Sequence, residues 1–464
     1  MRKLLIVLLV FVLSIISLIL VFNTFINTSK QSKIQLVQEL PQYPNAPKRL
    51  AQALRIPTIP DSNLTANFSR FQALIQKNYP AIFNNPNVEW QYFEQFSWVA
   101  KWVGRTSELA PIVLVAEQYV EEPELKHIPE WSYNPFMGKI DQEFVYGQGA
   151  QNGKAAMLAM LEVFNTLVRQ NTLPERTIYF AFPHNTQQGE KAIIQALQSA
   201  QIAPEFILKT GGLISQNILW DLTMPMALIG VGRQSVAQIT LEAKNSTAKP
   251  IIQAVQQLKA ALPLVEMEAA SINDFLTYIS PEMPFGQRLI FSNQWLLNNI
   301  QQKQLQNNSL TKAIFGHNIT SHLTPQDSNK TSLGTVTLTG SNLNHNLEQW
   351  VKSHLQHPKV QLLGQAQFLY KNQKRAAINN GAYRLISNTC KEIFPHIISA
   401  PILVNKTSKV NWQANLNTDI YYFHPVIYTP TRWEKAQKKI DNKINIKNYE
   451  QMMQFYYQLI MNSI

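Results

Sequence analysis

Three stretches decide the fold: Ile112-Val113-Leu114-Val115-Ala116, then KAAMLAMLEVFNTLVR at 154–169, then Thr177-Ile178-Tyr179-Phe180-Ala181-Phe182. The first and third are short, unbroken apolar runs of the length expected of strands buried on both faces. Between them, Met157, Leu158, Met160, Leu161, Phe164 and Leu167 recur at helical spacing and make one broad apolar face. A further helical stretch at 190–200 leads to a third apolar run at 206–208. Strands alternating with helices at this interval predict a parallel sheet covered on both faces. In such sheets, binding and catalytic residues sit just past the carboxyl ends of the strands. A site is therefore expected in the loops at 117–119, 147–154, 183–189 and 209–212.

Outward from this centre the pattern changes. From about 235 to 370, alternating strands (237–241, 334–339) and helices (251–262, 347–356) predict a smaller α+β domain inserted in the first. The chain then returns to the first domain with a helix at 384–394, strands near Ile402 and at 421–423, and a closing helix at 449–462. On the N-terminal side the body begins at Ile56-Pro57-Thr58-Ile59, followed by a helix at 68–79. Residues 27–50 are polar and punctuated by Pro41, Pro44 and Pro47, which suits a stalk. Before them, Arg2 and Lys3 precede an uncharged, mostly apolar run at 4–26, about the length that crosses a bilayer as a helix. No Ala-x-Ala site follows it, so a retained anchor is expected, a cleaved signal peptide being the other reading. Positive charge on the short side predicts the N-terminus in the cytoplasm and the body outside. The expected division is anchor 1–26, stalk 27–50, main domain 51–234, inserted lid 235–370 and main domain again at 371–464.

With 464 residues, 45% of them apolar and 15% charged, the chain is long enough for two folded domains. The net charge of +12 is spread along it, with no basic run interleaved with aromatics, so a nucleic-acid groove is not expected. Attraction to acidic partners or anionic headgroups is compatible with that charge. Cys390 is the sole cysteine, which rules out an internal disulfide and a thiolate metal cluster, and is compatible with export.

A collinear set of short motifs runs through the body: Ile56-Pro57-Thr58, Tyr79-Pro80, Trp102-x-Gly104, Pro135-Phe136-x-Gly138 and Tyr146-Gly147-x-Gly149. It continues through Lys154, Gly211-Gly212, Ser292-Asn293-x-Trp295-Leu296 and Leu310-Thr311-x-Ala313. This set resembles carboxypeptidase S and the N-fatty-acyl-amino acid hydrolases, within the wider aminoacylase and dizinc peptidase family. The resemblance implies a mixed α/β sheet flanked by helices, with an α+β lid inserted, and is compatible with a homodimer paired through the lid. It also implies, for the family, two zinc ions bridged by a carboxylate, with His and carboxylate ligands and a free Glu as general base.

At the places where the resemblance puts those groups, this chain carries others. The His ligand falls on Glu117 and the Asp orienting it on Tyr119. The bridging Asp falls on Asn152, beside Lys154. The general base falls on Thr186 and its neighbouring ligand on Gln187. A further ligand falls on Lys209, in Lys209-Thr210-Gly211-Gly212, and the last His on about Gln437. In the lid, the substrate-contacting His is Asn245, and the carboxylate-binding loop at 405–410 keeps only Thr407. Ammonium and amide groups do not compete with water for zinc, so no catalytic residue, no metal ligand and no cofactor is expected here. A buried charge needs a partner, so Lys209 and Glu117, with Asn152, Gln187 and Tyr119, are expected to form a polar plug. The plain alternative is Lys209 pointing to solvent.

Other chemistry reads weakly. His184 is expected to be structural, Ser246 and Ser408 lack His/Asp partners by motif, and Gly147-x-Gly149 lacks the third glycine of a dinucleotide loop. Three functions are left: a non-catalytic, membrane-anchored binding or scaffold protein of unknown ligand, a hydrolase of peptides or N-acyl amino acids with a remodelled site, or, on composition alone, a lipid- or envelope-binding role driven by net charge.

Overall fold

The computed structural model describes residues 2–60, 65–185, 187–220, 222–244, 246, 248–261, 269–324, 332–340, 343, 346–370, 374–405, 410 and 412–463. Among these residues, a ten-stranded mixed sheet forms the main domain. Its centre is the expected one: Ile112–Val115 lies parallel to Ile178–Phe182 on one side and to Phe206–Lys209 on the other. Asp419–Tyr422 adds in parallel to Phe206–Lys209, so the chain's last third re-enters the sheet beside the strands that precede the lid. All four central strands are buried almost throughout, which is why they read as continuous apolar runs. Beyond them Met226–Arg233 pairs in parallel with Ile398–Val404 and antiparallel with Leu213–Ser215.

The helices Gly153–Arg169 and Ile446–Asn462 pack together on one face of the sheet and share its core with Trp98, Trp102, Phe164 and Phe180. Within that core Glu162 is held bidentately by Arg49, both contacts at 2.5 Å, and accepts from the Tyr79 hydroxyl at 2.8 Å. A carboxylate so deeply buried is tolerable only with such partners.

The lid is a four-stranded antiparallel sheet in the order Asn318–Thr324, Ser332–Gly340, Ser235–Ala243, Val360–Tyr370. Helices Lys249–Ala261 and Leu347–His354 cover it and close a separate small core. The expected insertion at 235–370 is divided, however. Helices between Ala269 and Phe315 place Phe275, Leu276, Phe291, Leu310 and Phe315 in the main-domain core with Ile398 and Ile402. Their apolar faces find more surface to cover on the large sheet than on the lid.

The expected stalk also differs. Gln31 donates to the carbonyls of Tyr278 and Ser399 at 3.1 and 3.0 Å, and Lys391 Nζ donates to Ser32 O at 3.1 Å. Val37 N–H donates to Glu392 O at 3.0 Å, and a helix, Ala46–Leu54, buries Ala46 and Leu50. Residues 27–50 therefore lie along the body. Before them, Arg2–Ile26 is one continuous helix with its large apolar side chains exposed, long and apolar enough to cross a membrane.

Candidate functional site

The central strands end where the lid sheet leans over them, and a cavity of about 500 Å³ lies between. From the main domain its wall takes Glu117, Tyr119, Asn152, Lys209 and Gln437, five of the positions singled out in the sequence. The lid contributes the uncharged Asn318, Thr320, Thr337 and Thr339.

Lys209 is the last residue of the strand Phe206–Lys209, which aims its side chain into the cavity. Its side chain is only 5% exposed, so it does not point to solvent. The ammonium makes an ion pair with Glu190 Oε2 at 2.9 Å. The same oxygen accepts from Trp412 Nε1 at 2.6 Å, and the ammonium lies 4.4 Å from the centroid of the Trp412 ring. Two hydrogen bonds and an aromatic face thus compensate a charge pair withdrawn from water. Glu117, just past the strand Ile112–Val115, accepts from the Thr210 hydroxyl and packs against the backbone of Gly153. Burial, then the charges of Glu117, Glu190 and Glu121, raise the pKa of the Tyr119 phenol well above its usual value, with Arg233 opposing.

The turn that follows Lys209 requires glycine. Gly212 has φ +55°, and a Cβ there would meet the carbonyl oxygens of Leu228 at 2.4 Å and Tyr422 at 2.5 Å. This turn docks His424, whose Nε2 donates to Gln151 O at 2.8 Å while Nδ1 faces the Gly211 amide at 3.2 Å. Both ring nitrogens are engaged by backbone. Arg233 reaches the wall from the end of Met226–Arg233, with its guanidinium 3.9 Å over the Tyr370 ring and Nη1 donating to Val410 O at 3.1 Å.

Several expected positions lie elsewhere. Gln187 is exposed just before the helix Gln188–Ser199 and stands outside the cavity wall. Glu190, one turn further on, is the residue of that segment that faces the cavity. It is the single acid between 183 and 199, and that was the available signal. Lys154 is fully buried beneath the site, donating to Ile56 O at 2.8 Å and Ala53 O at 3.3 Å, 4.8 Å from the Phe71 ring centroid. Thr186, Asn245, Thr407 and Ser408 lie outside the described residues. His184 has Nδ1 2.8 Å from Ser97 Oγ and Nε2 2.6 Å from Asn185 Nδ2, as a structural histidine would.

The donor set does not fit a pair of zinc ions. At the described positions where the resemblance places ligands stand a glutamate, three amides and an ammonium already in an ion pair. Among the described residues, no three of His, Cys, Asp and Glu are grouped to hold a metal. A second cavity, about 540 Å³, adjoins the first, sharing Gly211, Asn318, Asn405 and Gln437. Its wall is largely apolar, including Leu213, Ile314, Ile402, Val404 and Trp433, and also takes Lys312.

A mixed sheet whose strand ends open under an antiparallel lid defines a metallopeptidase-like hydrolase fold. Human carnosine dipeptidase 1 superposes with a TM-score of 0.61 at 12% identity, over 90% of this chain and 97% of that one. The metallo-carboxypeptidase Sso-CP2 of Sulfolobus solfataricus does so with a TM-score of 0.58 at 11% identity, over 91% and 99%. The chain belongs to peptidase family M20/M25/M40, which it matches over residues 121–462. Its relatives include the probable carboxypeptidase S-like 2 of Dictyostelium discoideum, 23% identical over 90% of this chain and 84% of that protein. The N-fatty-acyl-amino acid synthase/hydrolase PM20D1 of Homo sapiens is 24% identical over 89% and 87%. The family expected from the motifs is thus the family found.

Proposed function

We propose that this chain is a non-catalytic, membrane-anchored member of the family that binds a ligand in the cleft where its relatives carry out hydrolysis. The observation that carries the reading is the buried Lys209–Glu190 ion pair, with the ammonium on a position that the family resemblance gives to a metal-ligating carboxylate. An ammonium there repels a divalent cation and supplies a positive charge in its place. The neighbouring polar and apolar cavities together suit an amphiphile with a polar head and an acyl chain, in keeping with a relative named for N-fatty-acyl-amino acids. Arg2 and Lys3 ahead of the apolar helix favour a cytoplasmic N-terminus and a body on the other side.

The test is metal content and turnover on the full chain in detergent, with N-acyl amino acids and dipeptides, and with zinc, manganese or cobalt added. The expected result is no stoichiometric metal and no hydrolysis, with saturable binding of N-acyl amino acids that tightens with chain length. Close to two zinc ions per chain, or metal-dependent turnover lost in Glu117→Ala, would restore the hydrolase reading. One observation favours that second reading: the Glu117 carboxylate on the Thr210 hydroxyl, at the wall of an open cavity.

A further inference from the structure

The apolar helix Arg2–Ile26 is bolted to the body at its last turns. Asn293, fully buried, donates from Nδ2 to Leu20 O at 3.0 Å and to Thr24 Oγ1 at 3.3 Å, and accepts from Asn23 Nδ2 at 3.1 Å. Just past the helix, Asn27 donates to the hydroxyls of Ser280 at 2.7 Å and Ser292 at 3.1 Å, and its carbonyl accepts from Arg288 at 2.7 Å. The rings of Phe25 and Phe285 stand 6.2 Å apart. These contacts fix the height of the body against the helix. Counted from Leu4 at about 1.5 Å per residue, a hydrocarbon layer of about 30 Å ends near Asn23. The bonded segment therefore stands at the boundary between lipid and water.

At that level the body shows a group of apolar side chains to the outside: Phe285 (53% exposed), Trp295 (57%), Leu296 (48%) and Ile300 (47%). They lie on two consecutive helices, Phe285–Ser292 and Gln294–Asn307, and Leu296 and Ile300 are one turn apart on one face. A cluster of large exposed apolar residues marks an interaction surface. From Met283 to Gln326 the chain has no acid, while Arg288, Lys303 and Lys312 are basic. Tryptophan beside lysine and arginine is the composition that settles in the headgroup layer of an anionic membrane.

We propose that these two helices are a second membrane contact, seated in the headgroup layer beside the anchor, with Phe285, Trp295, Leu296 and Ile300 against the acyl chains. The partner is a bilayer containing anionic lipid, and the inference rests on Arg2–Ile26 spanning that bilayer. The next helix, Ser309–Phe315, supplies Ser309, Lys312, Ala313 and Ile314 to the apolar cavity, so that cavity is one short connection away from the lipid contact.

The test uses the full chain in nanodiscs of phosphatidylcholine and phosphatidylglycerol. Nitroxide labels go on cysteines introduced one at a time, since native Cys390 is buried. The positions are Leu296→Cys and Ile300→Cys, with Leu13→Cys inside the anchor and Leu125→Cys as the water reference, its side chain being 80% exposed. Power saturation with oxygen and with a nickel chelate reads the depth of each. At 296 and 300 the oxygen-to-nickel ratio is expected to be several-fold above that at 125 and below that at 13, which lies at the middle of the hydrocarbon layer. Labels at 296 and 300 matching 125, with 13 in lipid, would overturn the second contact and leave the anchor standing. A label at 13 matching 125 would overturn both. Spin–spin broadening at 296 that persists in detergent micelles would assign the face to a second copy of the chain and overturn the lipid assignment.

Discussion

Glu190→Ala is expected to lower the unfolding free energy by about 3–5 kcal/mol, because it leaves the buried Lys209 ammonium without its ion-pair partner. The Trp412 indole would lose its acceptor in the same change, and its ring cannot replace a carboxylate. The loss should be largely recovered in Glu190→Gln combined with Lys209→Met, where neither charge remains to be desolvated and the volume is kept. The measurement is a double-mutant cycle in chemical denaturation of the full chain in detergent. The exposed pair Lys439–Glu121, at 2.9 Å on the same cavity's rim, is the control, and Glu121→Ala should cost less than about 1 kcal/mol. A cost below about 1 kcal/mol for Glu190→Ala would mean that water reaches the Lys209–Glu190 pair and that it is held no more firmly than a surface pair.

Stability is expected to rise with pH from 7 upward, and Lys154 is the cause. Burial lowers its ammonium from an ordinary value of 10.5 to about 7. Between those two values the unfolded chain holds a proton that the folded chain has released. Raising the pH therefore favours the folded state, by up to about 1.4 kcal/mol per unit in that window. Near pH 10 the gain is checked from the other side. Tyr79, Tyr383 and Tyr449 are pushed well above the ordinary tyrosine value, chiefly by burial, so the unfolded chain ionises first and folding loses ground. The stability maximum should accordingly fall at about pH 9–10. Denaturation at pH 7, 8 and 9 checks it: Lys154→Met should flatten the slope, whatever it costs in lost bonds to Ala53 O and Ile56 O. An unchanged slope would mean that Lys154 stays charged in the folded protein.

What the sequence made legible follows from burial. Ile112–Val115, Ile178–Phe182 and Phe206–Lys209 are apolar because both faces are covered, and that signal survives without any alignment. The edge hairpin Val88–Phe93 with Ser97–Trp102 escaped notice for the opposite reason. Its outer strand is half exposed, and its turn takes positive φ at Glu94 and Gln95, where glycine or asparagine would have announced it. In the site, Glu117 and Lys209 stand at the ends of central strands, so the sheet's direction alone brings them to one cavity, and Asn152 joins them from the cap of the helix Gly153–Arg169. Residues on helices depended on phase. Lys154 is two residues beyond Asn152, about 200° around a helix axis, so it turns away from the cavity. Gln187 stands exposed at the cap ahead of its helix, and Glu190, one turn further in, is the residue that reaches the cavity. The sequence also held no hint of Trp412, which joins the ion pair from a segment more than 200 residues away.

The binding of residues 27–45 along the body limits how far the protein can search. A free spacer of 24 residues would give a tether radius of about 80 Å when extended, and the cleft would sweep a large volume above the bilayer. With Gln31, Ser32 and Val37 bonded to the body, that radius collapses and the cleft keeps a constant height and heading. With Arg2–Ile26 in a bilayer, as proposed, a ligand carried in that bilayer would be met by lateral diffusion in a thin layer, where encounter depends on surface density instead of bulk concentration.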